Sequence, residues 1–175
     1  MLKLFPRLVP AACAALLGGC LTGTSDSANA KVKIEPCEAL KTLAASYDQQ
    51  FADIRRAKRS HNRIDIWSTS YQIVGSGCEI WGWQGGNYNY VCHYVAPDKD
   101  AATAIYQEAR TTIDQCLPHP WSEREEALPS AEGRQAVFKK PGFAGVIDLR
   151  LLETRGINTP RWAVYLMIGD YNSQI

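Results

Sequence analysis

The stretch Cys78–Cys92, CEIWGWQGGNYNYVC, restricts the fold more than any other part of the chain. Two aromatic, β-favouring runs flank Gly85-Gly86, and a cysteine closes each run. That pattern reads as a hairpin. Two registers fit it. A three-residue loop, Gln84-Gly85-Gly86 with Gly86 left-handed, sets Trp83 opposite Asn87 and Cys78 opposite Cys92, on one face and within bridging distance. A two-residue Gly85-Gly86 turn shifts the pairing by one. It sets Trp81 opposite Tyr90 and Trp83 opposite Tyr88, and sends the two cysteines to opposite faces.

The chain has six cysteines, and its first residues bear on how many can pair. Lys3 and Arg7 precede an apolar run over 8–19, LVPAACAALLGG. The run is too short to cross a hydrocarbon core of about 30 Å, and a charged start before a brief apolar core reads as a secretory signal. It ends in Leu17-Gly18-Gly19-Cys20. In these residues the chain resembles bacterial lipoprotein precursors, whose lipobox has an aliphatic residue, two small residues and then cysteine. The resemblance covers residues 1–20 alone. It implies cleavage before Cys20, with lipids on that residue's sulfur and new amino group. Acyl chains that contribute about 0.8 kcal/mol per buried CH₂ then anchor the chain to a membrane. Leu21 follows in place of aspartate, which under the Gram-negative sorting rule implies the outer membrane, facing the periplasm. The plain alternative is an ordinary secreted protein in which LGGC carries no signal.

With Cys13 in the leader and Cys20 lipidated, Cys37, Cys78, Cys92 and Cys116 remain. An even number in an oxidising compartment implies two disulfides, with three possible connectivities. No CxxC occurs, and the spacings are not those of a zinc site, so no metal and no cofactor are expected. Residues 21–35, LTGTSDSANAKVKIE, are small, polar and aperiodic, and read as a tether. The expected organisation is a leader over 1–19, a lipidated N-terminus and tether over 20–35, and one domain over 36–175. Without Lys3 and Arg7 the chain has 17 basic and 18 acidic residues, a balance that gives no footprint for nucleic acid.

Within the domain, Leu40, Leu43, Ala44, Tyr47, Phe51 and Ile54 fall at helical spacing and predict a helix over 37–59, opened by Pro36 and Glu38. Arg55, Arg56, Lys58 and Arg59 then sit in its last turn, as dipole partners or as a basic patch. A strand is expected over 64–74, then the hairpin, then a second helix over 99–116 capped by Asp98 and buried through Ala102, Ile105, Ala109, Ile113 and Cys116. Pro118 and Pro120 stop that helix. Residues 122–135, SEREEALPSAEGRQ, read as a polar loop; 136–139, 144–153 and 161–168 read as strands, with a turn over 154–160. This order predicts an α+β fold, an antiparallel sheet of about five strands with both helices on one face. If each helix runs back along its neighbouring strand, Cys37 and Cys116 meet at one end of the sheet. Cys78 is then left for Cys92, which favours the three-residue loop.

In that register Trp81, Trp83, Asn87 and Asn89 share the face away from the cysteines, where indole planes beside amides offer a binding surface. The competing reading packs both indoles against neighbouring strands or Trp121. Catalytic patterns are weak. His61, His93 and His119 form no HExxH, there is no GxSxG, and neither a phosphate loop nor a dinucleotide fingerprint occurs. His93 beside Cys92 suggests a thiol–imidazole pair, but Cys92 is expected to be disulfide-bonded and adjacent strand residues point apart. The expectation is therefore a lipid-anchored envelope protein that captures a protein partner as inhibitor, immunity or accessory factor, and not an enzyme. The alternatives are a cell-wall glycan-binding lipoprotein and a small hydrolase using carboxylates or His93.

Overall fold

A computed structural model of the protein describes residues 34–128, 132–154 and 161–170. The expected leader, the expected lipidation site and the expected tether up to residue 33 lie outside these residues, as do residues 155–160 of the turn expected over 154–160. The chain forms α1 (Pro36–Ser46), two short 3₁₀ turns, β1 (Lys58–His61), β2 (Ile64–Ser68), β3 (Glu79–Trp83) and β4 (Tyr88–Ala96). It continues with α2 (Lys99–Cys116), β5 (Ser122–Ala127), β6 (Gly133–Lys139), β7 (Val146–Thr154) and β8 (Arg161–Gly169). The fold is α+β, but its antiparallel sheet has eight strands rather than about five, in the order β1-β2-β3-β4-β8-β7-β6-β5. Two four-stranded meanders, each preceded by a helix, join through their last strands, β4 and β8.

The extra strands come from two places where polarity hid a strand. The expected first helix ends at Ser46, because Gln50 and Phe51 both take left-handed backbone (φ 56° and 61°) that no helix continues through. Phe51 and Ile54 are still buried, Ile54 from the second 3₁₀ turn and Phe51 from the residue just before it, at a spacing that mimics a helical face. The basic run therefore leaves the helix. Lys58 and Arg59 lie on edge strand β1, where Lys58 pairs with Asp65 (2.8 Å) and Arg59 with Glu79 (2.8 Å). The second hidden strand is β5, in the segment expected to be a polar loop. Its charges alternate by face. Glu123 and Glu125 meet Arg110 of α2, while Glu126 accepts from Gln135 of β6 (2.6 Å). Charged side chains on both outermost strands fit the need to block edge-to-edge pairing.

Strand β2 is shorter than expected, ending at Ser68 because side chains of the next residues capture backbone groups: Thr69 Oγ1 accepts from the Tyr71 amide (3.4 Å), and Gln72 Nε2 donates to the Thr69 carbonyl (3.1 Å). Helix α2 is as expected at its start, with Asp98 accepting from the Ala101 amide (2.8 Å). On its buried face Tyr106, wholly buried, takes the place expected of Ile105, which is half-buried at the side.

Both helices lie on one face of the sheet. Leu40 and Leu43 of α1 and Tyr106 and Ile113 of α2 form one core with Ile80, Tyr90, Leu149, Leu151, Val164 and Leu166. Fully burying each such side chain contributes about 1.5–3 kcal/mol. Cys37 at the start of α1 is bonded to Cys116 at the end of α2 (Cα–Cα 4.7 Å), which ties the helix pair at one end.

Candidate functional site

Strand alternation decides what the hairpin offers. Ile80 and Gly82 are buried, Ile80 in the core beneath the helices, so Trp81 and Trp83 lie on the opposite face. Trp83 and Asn87 bracket the loop: the Trp83 amide donates to the Asn87 carbonyl (2.9 Å), and the Gly86 amide donates to the Trp83 carbonyl (3.0 Å). Gly86 is left-handed (φ 82°), and Trp81 pairs with Asn89, the register of the three-residue loop. The Cys78–Cys92 bond follows from it, with Cα atoms 4.0 Å apart.

Trp81 and Trp83 meet edge to face, ring centroids 6.0 Å apart at 65°. Both are half-buried. Trp81 Nε1 donates to Glu79 (3.1 Å) and Trp83 Nε1 to Asn89 Oδ1 (3.2 Å), so each ring is fixed by its polar edge. The four residues expected to form a surface are thus divided. Asn87 is exposed at the loop. Asn89 is 1% exposed, and its amide nitrogen donates to the Asp170 carbonyl (3.3 Å), so it positions Trp83 rather than offering a free amide. Trp121 is no neighbour of the pair; it packs on Phe143 (5.2 Å) against the helix-side core.

Further across this face, His93 stacks on Tyr165 (5.9 Å, 24°), across from it in the β4–β8 register. Tyr165 is in turn opposite Arg150. Arg150 Nε and Nη2 both bond Asp148 Oδ2 (2.9 and 2.7 Å), while Asp148 Oδ1 is buried with no hydrogen-bond partner among the described residues. Burial pushes the Asp148 carboxyl above the usual range, and Arg150 opposes that shift. His93 is on the opposite face from Cys92, whose sulfur is held in the disulfide, so the two make no thiol–imidazole pair.

On the helix side the structure contains a group that sequence reasoning missed. The Arg55 guanidinium lies over both Trp67 (4.4 Å) and Tyr88 (4.1 Å). Gly82 makes room for this stack; a Cβ there would come within 2.7 Å of Tyr88 and 2.9 Å of Trp67. The only hint in the sequence was a glycine between two tryptophans.

Among the described residues no group of three or more histidine, cysteine, aspartate or glutamate side chains is placed to hold a metal ion, and no helix is long and apolar enough to cross a membrane. No family model, no curated protein and no solved structure matches the chain.

Proposed function

We infer that the chain is a lipid-anchored protein of the cell envelope, held through Cys20 at the outer membrane and facing the periplasm, and that its domain captures a protein partner. Its role is that of an inhibitor, immunity or accessory factor, with no reaction of its own. The observation that carries this reading is the Trp81–Trp83 pair, whose two indole N–H groups are already bonded within the protein. Rings so fixed present apolar surface with little entropy left to lose, the property of an aromatic anchor at a protein interface. A sugar stacked on these rings would need free polar groups beside them, and the Asn89 amide is buried and occupied.

Affinity capture from solubilised envelope tests this. The parent chain is expected to retain a discrete protein, and Trp81→Ala/Trp83→Ala to weaken that capture by about 2 kcal/mol or more, roughly thirtyfold. The same variant should lose about 1–2 kcal/mol of stability per ring, short of the about 3–5 kcal/mol of a core tryptophan. Equal retention by both proteins would refute the reading. The anchor has its own test. Cys20→Ser should abolish the lipid mass and move the protein out of the detergent phase; a variant that still partitions with its lipid intact excludes the lipobox.

A further inference from the structure

On the helix side of the sheet, three segments wall a cleft. Pro36, the first residue of α1, forms one wall, and Ile105 and Ala109 of α2 form another. The third is the loop between β2 and β3, through Ile73 and Val74, and Tyr94 of β4 also lines the space. Both disulfides brace these walls. The Cys37–Cys116 bond ties the residue after Pro36 to the last residue of α2, and the Cys78–Cys92 bond ties the end of the loop to β4. Within the loop, Gln72 Nε2 donates to the Thr69 carbonyl (3.1 Å), and Gln72 Oε1 accepts from the Cys78 amide (3.2 Å). Gly75 is left-handed (φ 63°) and lies against Tyr94, where a Cβ would come within 3.2 Å of the ring. A cleft with walls tied in this way costs little to order when something binds.

The cleft measures about 300 Å³, at the lower end of the range for small-molecule sites. Its lining is mostly apolar, so a ligand that fills it presents hydrocarbon. Ile105, Glu108, Ala109 and Thr112 fall at i, i+3, i+4 and i+7 and share one side of α2, which sets a carboxylate and a hydroxyl beside the apolar wall. Glu108 is exposed, and neither a hydrogen bond nor an ion pair of its carboxylate is found among the described residues. No other charged side chain lines the cleft among the described residues. These facts narrow the ligand. An anionic head, such as that of a fatty acid, would meet like charge. A neutral hydrocarbon would strip water from the carboxylate and give no bond in return. A metal ion would find a single carboxylate where it needs several oxygens. An ammonium brings three donors and the opposite charge, and can meet both Glu108 and the Thr112 hydroxyl.

We propose that this cleft binds a small apolar amine, its hydrocarbon part packed among Ile73, Tyr94 and Ile105 and its ammonium bonded by Glu108 and Thr112. The site lies on the opposite face of the sheet from Trp81 and Trp83. It goes beyond capture of a protein and depends neither on that partner nor on the lipid anchor.

The test uses the full chain in detergent, with phenethylamine and hydrocinnamate as probes and amide resonances as the readout. The probes share a ring and a two-carbon linker and differ in the sign of the charge. Phenethylamine is expected to shift the Gly75, Ala109 and Thr112 signals saturably, with a Kd of about 1 mM or below, and hydrocinnamate to bind at least about tenfold more weakly. Glu108→Gln, which removes no bond found in the structure, should raise the Kd for the amine about threefold or more and leave the melting temperature unchanged. If the amine gives no saturable shift by about 10 mM, if hydrocinnamate binds as tightly, or if Glu108→Gln binds the amine as the parent does, the proposal is overturned. Because these signals come from the helix side of the sheet and not from partner capture, failure here leaves the protein-binding reading to its own experiment.

Discussion

Arg150→Leu is expected to destabilise the domain by about 3–5 kcal/mol at neutral pH, since it strands the Asp148 carboxylate without its cation. Asp148 is 2% exposed, and it lies across from Val137 on one side and Met167 on the other. Water is therefore no substitute for the lost guanidinium. The pH dependence has a definite sign. Burial already raises the folded-state pKa of Asp148 above its unfolded value. Between those two pKa values the folded state binds more protons, so this group's contribution to stability is complete at low pH and is lost as pH rises through the folded pKa. Removing Arg150 moves the folded pKa further up and widens that window. Urea unfolding should accordingly show a smaller cost of Arg150→Leu at pH 4 than at pH 7, and equal costs would contradict the assignment. Replacing both residues, Asp148→Leu with Arg150→Leu, should recover most of the loss, because an apolar pair suits Val137 and Met167 better than an unpaired charge.

The second large effect concerns the helix pair. Cys37→Ser/Cys116→Ser should cost about 4–5 kcal/mol, because the bond closes a loop over 79 residues of sequence and reopening it returns that freedom to the unfolded chain. At roughly 2–4 °C per kcal/mol for a domain of this size, a fall of about 8–20 °C in the melting temperature is expected. Cys78→Ser/Cys92→Ser should cost less, about 3 kcal/mol, since that bond spans 14 residues whose ends the hairpin ladder already holds together. The reverse order in a thermal melt would show that the hairpin bond constrains more than its own loop.

The hairpin was the most legible part of the chain. Its register follows from a glycine able to turn left-handed and two cysteines on one face, both local facts. Asp98 at the start of α2 was legible for the same reason. The misread segments each replaced a local rule with a tertiary one. Phe51 and Ile54 kept helical spacing, but the left-handed pair Gln50-Phe51 separates them from the helix. The charges of β5 read as loop, because nothing in SEREEA reveals that Arg110 from α2 will lie over one side of it. At the candidate site the alternation of Trp81 and Trp83 placed both rings on one face. The fate of Asn89 was not visible, since its burial depends on Asp170, 81 residues away. The Arg55 stack was hidden likewise, because Trp67, Tyr88 and Arg55 come from three separate segments.

Under the proposed lipid anchor at Cys20, the bond between Cys37 and Cys116 has a mechanical meaning. Any pull transmitted through the segment before Pro36 enters the domain at Cys37, one residue into α1. Without a covalent link, that load would unwind α1 from its first turn and then peel β1 from the sheet edge, one ladder bond after another. With the link in place, the force passes at once to Cys116, the last residue of α2, whose core side chains are seated on the central strands. The domain is thus loaded near its middle rather than at its frayed border, and α1, the 3₁₀ turns and β1 hang slack inside a closed covalent loop.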